Sequence, residues 1–585
     1  MNKMTLEALK TELCEYLAIK AAAAFPSAAF PAKEELEAQL KASLEYPPDP
    51  SMGDIAVPCF KLSKILRTAP PAIAAKLGEG IAEKLPFIEK ADIAGGYLNL
   101  TISGRFYREG LLPAILEAKE KWGGSDVGRG KTVVIDYSSP NLCKPFHIGH
   151  LGTTVIGHSL RLLLEAVGYK VIGINYIGDW GTQFGKMIVA YEKWGDRAAI
   201  DERGVDEMLD LYVRFHREAE EDPSLDDAAR AEFRKLEAGD ERNIELWKWF
   251  REISIEEYKN TYKLLGIEFD SWNGESFYTD KMPRQVEKLR ESGIMKQDKG
   301  AWLVDLEDYK MPPCLILKSD GSTLYPTRDI AAAVYRKETY DFDLALYVTS
   351  AGQSLHFAQW FRVIDLMGYD WADKLVHVPY GTISVGGAKL STREGNMVLL
   401  SDLFDDAIEK VSGIIAEKNP DIENREEAAK AVGVGAVIYH YLWNSRIKDI
   451  SFNMEDALSF DGATGPYVQY TYARTASILS KAGELADAPY SPGDYQPNEY
   501  ESALLRQLML LPEKVAAAIE GYEPSVITRY SYDVATAFNR LYQSTRIIGA
   551  ESEEAQNFRL ALTRAAGYTL KSSLGLICLK TPEKI

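Results

Sequence analysis

The stretch VVIDYSSPNLCKPFHIGHLGTTVIGHSLRLLLEAVG, residues 133–168, decides the fold. It opens on an apolar, β-branched run, passes through the polar turn SSPN, and from about His147 repeats apolar residues at helical spacing. Strand, turn and helix in that order make the first half of a βαβ unit. The start of such a helix carries unpaired backbone N–H groups and the positive end of the dipole, so the turn is expected to hold a phosphate. Two of the seven histidines, His147 and His150, stand there three residues apart on one face, placed to donate to phosphoryl oxygens. Gly149 between them, with no side chain, lets a nucleotide lie against the backbone. Either histidine alone would serve equally as a helix cap.

Outward from this unit, the runs YKVIGINYIG (169–178), LALYVTS (344–350) and LVHVPYGTIS (375–384) read as further strands separated by helical patterns. That alternation predicts a doubly wound α/β fold with a parallel sheet. GRGKT (128–132) fails as a P-loop, because Ser125 stands where the first glycine belongs and the segment precedes a strand instead of following one. The first hundred residues predict a small α/β domain, with helices over 5–24 and 71–84 and a strand in GGYLNLTIS (95–103), followed by a helical connector over 105–122. A charged helical insertion begins after Gly185 and splits the sheet into halves. From about Asp402 only helical periodicity remains, so the chain is expected to end in a helical bundle. The expected boundaries are an N-terminal domain over 1–104, a catalytic domain over 105–435 with the insertion over about 186–300, and a helical domain over 436–585.

The net charge of −19 argues against a nucleic-acid partner until its distribution is considered. About half of it, −9, falls in residues 201–260, and the last 85 residues carry +1, which leaves the C-terminal part open to RNA. Five widely spaced cysteines without a CxxC pair argue against a disulfide framework and against structural zinc. The apolar runs are too short for a membrane span, and the start MNKMTLEALK has no apolar signal core, so a cytoplasmic protein away from membranes is expected.

HIGH after a strand and SSPN resembles the first signature of class I aminoacyl-tRNA synthetases, and Lys389-Leu390-Ser391-Thr392-Arg393 resembles their second, a lysine loop. The resemblance narrows to the arginyl-tRNA synthetase family through segments in the same order along nearly the whole chain. They are PPDPSMGDIAVPCFKLSK, SSPNLCKPFHIGHL, NYIGDWGTQFG, GIEFDSWNGESFY, DGSTLYPTRDIAAA, YVTSAGQSLHFAQ, KLSTREGN, DGATGPYVQYTYAR and YDVATAFNRLYQSTRIIG. Two positions depart from the pattern: Gly152 replaces the usual arginine, and Thr392 replaces the second lysine of the loop. Lys144, in the turn before His147, is a candidate for the missing charge.

The resemblance implies ATP-dependent activation of L-arginine and its transfer to the 3′ end of tRNA(Arg), with Mg²⁺ accompanying the nucleotide. His147, His150, Lys144 and Lys389 would be catalytic, and Gly149 and Ser391 would join the ATP site. Members generally require bound tRNA before they activate arginine. A guanidinium is planar, always charged and rich in donors, so its site needs carboxylates and neutral acceptors. Tyr325 and Asp329, four apart on one helical face, are implied as its partners, with Asp136 supporting that end, and Ser139, Asn141 and Gln353 orienting the amino and carboxylate groups. Alternatively Asp329 merely pairs with Arg328. In the C-terminal bundle Tyr467, Arg474, Asn539, Arg540 and Arg546 are candidates for tRNA contact, and a monomer is expected. Cysteinyl-tRNA synthetase, which needs metal-spaced cysteine and histidine, and a catalytically silent tRNA-binding paralogue are the rival readings.

Overall fold

The computed structural model describes residues 5–385 and 398–585. At its centre four parallel strands, β1 (Thr132–Asp136), β2 (Lys170–Ile174), β3 (Leu344–Ser350) and β4 (Leu375–Tyr380), lie in the order β4-β3-β1-β2. Both neighbours of β1 are parallel to it, so its residues are covered on two faces; Val133, Val134 and Ile135 are all buried. The chain leaves β1 through α1 (Leu151–Ala166) toward β2 on one side and returns much later to β3 on the other. The strand order therefore reverses between β1 and β3, where open α/β sheets bind ligands at the carboxyl ends of their strands. Asp136 and Tyr347 are register partners at that point.

Between β2 and β3 the insertion packs its helices against one another, the longest being α2 (Glu241–Leu265), capped by Asp240 and ended by Gly266 in the left-handed region. The predicted insertion was too long as a helical unit: after Glu291 the chain forms an antiparallel sheet of Met295–Asp298, Ala301–Val304 and Cys314–Leu317. Its first strand is mostly solvent-facing and has no alternation to read. Helix α3 (Tyr325–Tyr340) then leads into β3.

The N-terminal domain has the predicted helix (Leu6–Ala24, capped by Thr5) and strand (Tyr97–Ile102), but that strand is the middle of a three-stranded antiparallel sheet with Ile55–Pro58 and Ile88–Ala94. The predicted helix over 71–84 is broken in two at Gly80, whose φ is +71°. This domain leans on the C-terminal bundle through Lys10–Glu513 (2.7 Å) and Arg506–Asp54 (3.2 Å).

The bundle comprises α5 (Gly465–Ala482), α6 (Ser525–Ser544) and α7 (Glu553–Leu576) with shorter helices, and is reached through α4 (Arg425–Leu442). One correction applies: Ile450–Phe452 forms a short strand, too brief at three residues to read, and pairs in parallel with Ile383–Val385, which lies at the end of the run read as one strand over 375–384 but belongs to a separate sheet from β4. Ser159 on α1 donates to the carbonyl of Leu576, tying the bundle to the catalytic sheet.

Candidate active site

The turn after β1 makes the site. Ser138 and Ser139 both have positive φ (69° and 49°), and the loop is pinned to residues 175–178 by Ser139 N–H donating to Asn175 Oδ1 (3.1 Å) and Leu142 N–H to the Gly178 carbonyl (3.2 Å). Gly178 leaves room for the Asn141 side chain: a Cβ there would stand 2.0 Å from Asn141 Oδ1 and displace it from this position.

All six residues predicted around arginine, Asp136, Ser139, Asn141, Tyr325, Asp329 and Gln353, line one cleft of about 430 Å³. They arrive from the end of β1, the following turn, the first two turns of α3 and the turn after β3. Tyr325 is exposed at the mouth (68%). Asp329 does not pair with Arg328, as the alternative would have it; its Oδ2 lies 2.6 Å from His356 Nε2, while Arg328 pairs with Glu275 at 2.8 Å. Asp136 carries its own cation, Arg336, at 2.8 Å, so its charge is already matched.

Among the lining residues the sequence reading did not single out are three that carry a carboxyl, an imidazole and a guanidinium: Glu275, His356 and Arg336. Glu275 and His356 lie inside the quoted segments GESFY and LHFAQ, and an acidic residue among aromatics was the available signal. Burial pushes the Glu275 carboxyl up to about 7, outweighing the pull of Arg328, with Asp329 and Asp179 adding to the rise.

The histidines sit outside that cleft, side by side, with ring centroids 3.9 Å apart. The expectation of unpaired N–H groups here is overturned, because the histidine rings and the Val398 carbonyl use them. Gly149 N–H donates to His147 Nδ1 (3.1 Å), His147 N–H to His150 Nδ1 (3.2 Å), and Ile148 N–H to the Val398 carbonyl (3.0 Å). Both rings accept at Nδ1 and therefore offer Nε2–H as donors when neutral. They are neutral near pH 7: burial, then Lys144, holds His147 at about 4, and burial, then His147, keeps His150 well below its ordinary value. Gly149 is needed for the His147 ring, whose Cε1 would lie 2.8 Å from a Cβ at that position. Lys144 places its ammonium 5.0 Å over the Tyr212 ring of the insertion. Lys389, Ser391 and Thr392 lie outside the described residues.

Gly152 has a structural reason as well. A Cβ there would meet the Tyr441 hydroxyl at 2.1 Å and Tyr380 Cδ2 at 3.2 Å, so tyrosines from α4 and the end of β4 fill the space.

In the bundle, Tyr467, Arg474 and Asn539 line a cleft of about 510 Å³. The Arg474 guanidinium stands 5.1 Å from each of two exposed rings, Tyr470 and Tyr542. Asn539 is turned inward, 8% exposed, with its amide bonded to Tyr467, Thr471 and Arg474, whereas Arg540 and Arg546 face solvent.

This sheet, with its paired histidines at the head of α1, is that of the class I aminoacyl-tRNA synthetases, and residues 111–454 match the family described as "tRNA synthetases class I (R), catalytic domain". Residues 16–102 match the arginyl tRNA synthetase N-terminal domain and residues 468–585 the DALR anticodon binding domain. The chain is 50% identical over 555 residues to an arginine–tRNA ligase of Clostridioides difficile (strain 630), covering 94% of this chain and 96% of that protein. It is 47% identical over 547 residues to that of Alkaliphilus metalliredigens (strain QYMF), with 94% and 96% covered. The solved Thermus thermophilus arginyl-tRNA synthetase superposes with a TM-score of 0.82 at 27% identity, covering 99% of this chain and 100% of that one. The chain belongs to the arginine–tRNA ligase family.

Among the described residues no group of three or more His, Cys, Asp and Glu is placed to hold a metal ion, and no helix is long and apolar enough to cross a membrane.

Proposed function

We propose that this chain ligates L-arginine to tRNA(Arg) in two steps, with ATP, accompanied by Mg²⁺, as co-substrate. The observation that carries the reading is the convergence of six residues from three separate segments on one cleft whose helix presents Tyr325 and Asp329 together. Asp329, with Glu275 as a second carboxylate, faces the guanidinium of the substrate; Tyr325 covers it at the mouth; Ser139, Asn141 and Gln353 hold the amino and carboxylate end. The arginine carboxylate attacks the α-phosphorus of ATP in line, forming the adenylate and releasing pyrophosphate. His147 and His150 act there as neutral Nε2–H donors to phosphoryl oxygens, with Lys144 and Lys389 as cations and Gly149 and Ser391 beside the nucleotide. The 2′-hydroxyl of the terminal adenosine then attacks the activated carbonyl, forming the ester and releasing AMP.

The division of labour follows the expected boundaries: 1–104 toward the tRNA elbow, 105–435 for activation, 436–585 for the anticodon. Within the last, the Tyr470–Arg474–Tyr542 group offers π and cationic faces to unstacked bases, and Tyr467, Arg540 and Arg546 extend that surface. The test is pyrophosphate exchange with each standard amino acid, with and without tRNA. Exchange with arginine alone, and only when tRNA is present, is expected; exchange with cysteine, or with no amino acid, rejects the reading.

A further inference from the structure

Beneath the cleft lies a second guanidinium, the protein's own. Arg336 stands two turns along α3 from Asp329 and is 1% exposed. Its Nη2 lies 2.8 Å from Asp136 Oδ2, and the rings of Tyr176 and Tyr347 flank it at 5.1 and 5.6 Å. Neither its Nε nor its Nη2 makes a hydrogen bond among the described residues, so the contact with Asp136 is an ion pair held by proximity and burial. The other oxygen of Asp136 accepts from Ser139 Oγ (2.8 Å), and Ser139 Oγ accepts in turn from the backbone N–H of Tyr176 (3.0 Å). A continuous chain of polar contacts thus runs from the middle of α3, under the cleft, to the turn after β1.

That turn needs holding. Two consecutive serines in the left-handed region are costly for residues with a Cβ, and Ser139 also precedes Pro140, which disfavours helical-type dihedrals at the residue before it. Such a conformation persists only where its surroundings over-determine it. The next residue, Asn141, is one that lines the cleft. A buried Arg–Asp pair is by itself weak evidence of stabilisation, since desolvation offsets much of its attraction. Its placement at the root of the strained turn gives it a different use.

We propose that Arg336 is a positioning residue for recognition of the amino acid: it fixes Asp136, Asp136 fixes Ser139, and the strained turn then presents Ser139 and Asn141 at the cleft. Asp136 accordingly acts on the turn and not on the guanidinium of the substrate. The proposal rests on the cleft being the arginine site.

The experiment is tRNA-dependent pyrophosphate exchange with the full-length protein, recording KM for arginine, KM for ATP, kcat and the thermal midpoint. Arg336→Met should raise the arginine KM at least tenfold with the ATP KM within about twofold. Adding Asp136→Asn, which removes the orphaned charge and keeps an acceptor for Ser139, should restore at least half of the loss on a logarithmic scale. Ser139→Ala should raise the arginine KM on its own, and Arg336→Lys added to it should cost less than about twofold more, because the chain of contacts is already cut. The Ser139→Ala and Arg336→Lys pair carries the test if Arg336→Met does not fold. Equal rises in both KM values with a lowered midpoint, or full additivity in the Ser139→Ala background, overturns the proposal by making Arg336 a support of the fold alone. Absence of arginine-dependent exchange in the unaltered protein overturns the arginine reading and this proposal with it.

Discussion

Asp329→Asn keeps the shape of the cleft and removes one charge. Breaking a fully buried ion pair costs about 3–5 kcal/mol, but the Asp329 side chain is 21% exposed, and Glu275 remains as a second carboxylate along the same wall. A charge-assisted hydrogen bond of about 1.5–3 kcal/mol is the better measure. At about 1.4 kcal/mol per decade this raises the arginine KM roughly 10- to 150-fold. The His356 contact survives, because an imidazole N–H donates to an amide oxygen as well as to a carboxylate. The assay is pyrophosphate exchange at saturating ATP and tRNA, with arginine varied and then ATP varied in turn. The ATP KM should stay within about twofold, since the histidine pair lies outside the cleft. His356→Ala serves as the control: if Asp329 matters only as its partner, the two substitutions have equal effects on every parameter. An unchanged arginine KM in Asp329→Asn would refute the assignment outright.

Glu275, held at about 7, should make arginine binding pH-dependent. The guanidinium favours the ionised carboxylate, so the arginine KM should fall as pH rises from about 6 to 8, and Glu275→Gln should flatten that slope in a KM titration. For the fold the sign is opposite: a carboxyl raised above its ordinary 4.5 stabilises fully below that value and loses its contribution as pH rises through 7, so thermal midpoints of Glu275→Gln relative to the unaltered protein should improve over that window. His147, near 4, should contribute no titration to the ATP KM between pH 6 and 8; a histidine-like step there that vanishes in His147→Asn would contradict its neutral role. Gly152→Ala, which in an ordinary helix gains about 0.5–1 kcal/mol, should here lower the thermal midpoint, as overpacking against Tyr441 costs about 1–3 kcal/mol. Tyr470→Ala should weaken tRNA binding by about 1–3 kcal/mol if a base stacks there, with the arginine KM at saturating tRNA unchanged; tRNA affinity equal to the unaltered protein's would remove Tyr470 from the anticodon surface.

Features written locally were legible. The strand at 132–136 reads from its β-branched run, and Tyr325 and Asp329 read from helical spacing. What stayed hidden depended on partners far along the chain. Nothing near Arg336 announces that its guanidinium is buried against Asp136, 200 residues earlier. The strand at 450–452 exists only because 383–385 lies beside it. The histidines were found but their surroundings were misread: a helix start normally leaves N–H groups open, and here two imidazoles and the distant Val398 carbonyl close them, a conclusion that needs ring orientations and tertiary contacts and not residue types. Glu275 was passed over because its segment was read only for its likeness to the family, and its place on the cleft wall depends on α3 lying beside it.

The tyrosine hydroxyl above Gly152 ties two distant positions into one unit of inheritance. An arginine at 152, as the resemblance would have it, can enter this lineage only after Tyr441 has given way to something smaller, and a shrunken residue 441 leaves a hole until 152 grows. The order of substitution is thereby constrained, since either change alone passes through an overpacked or a cavity-bearing, less stable intermediate. Among descendants of this sequence the two positions should be retained together or replaced together.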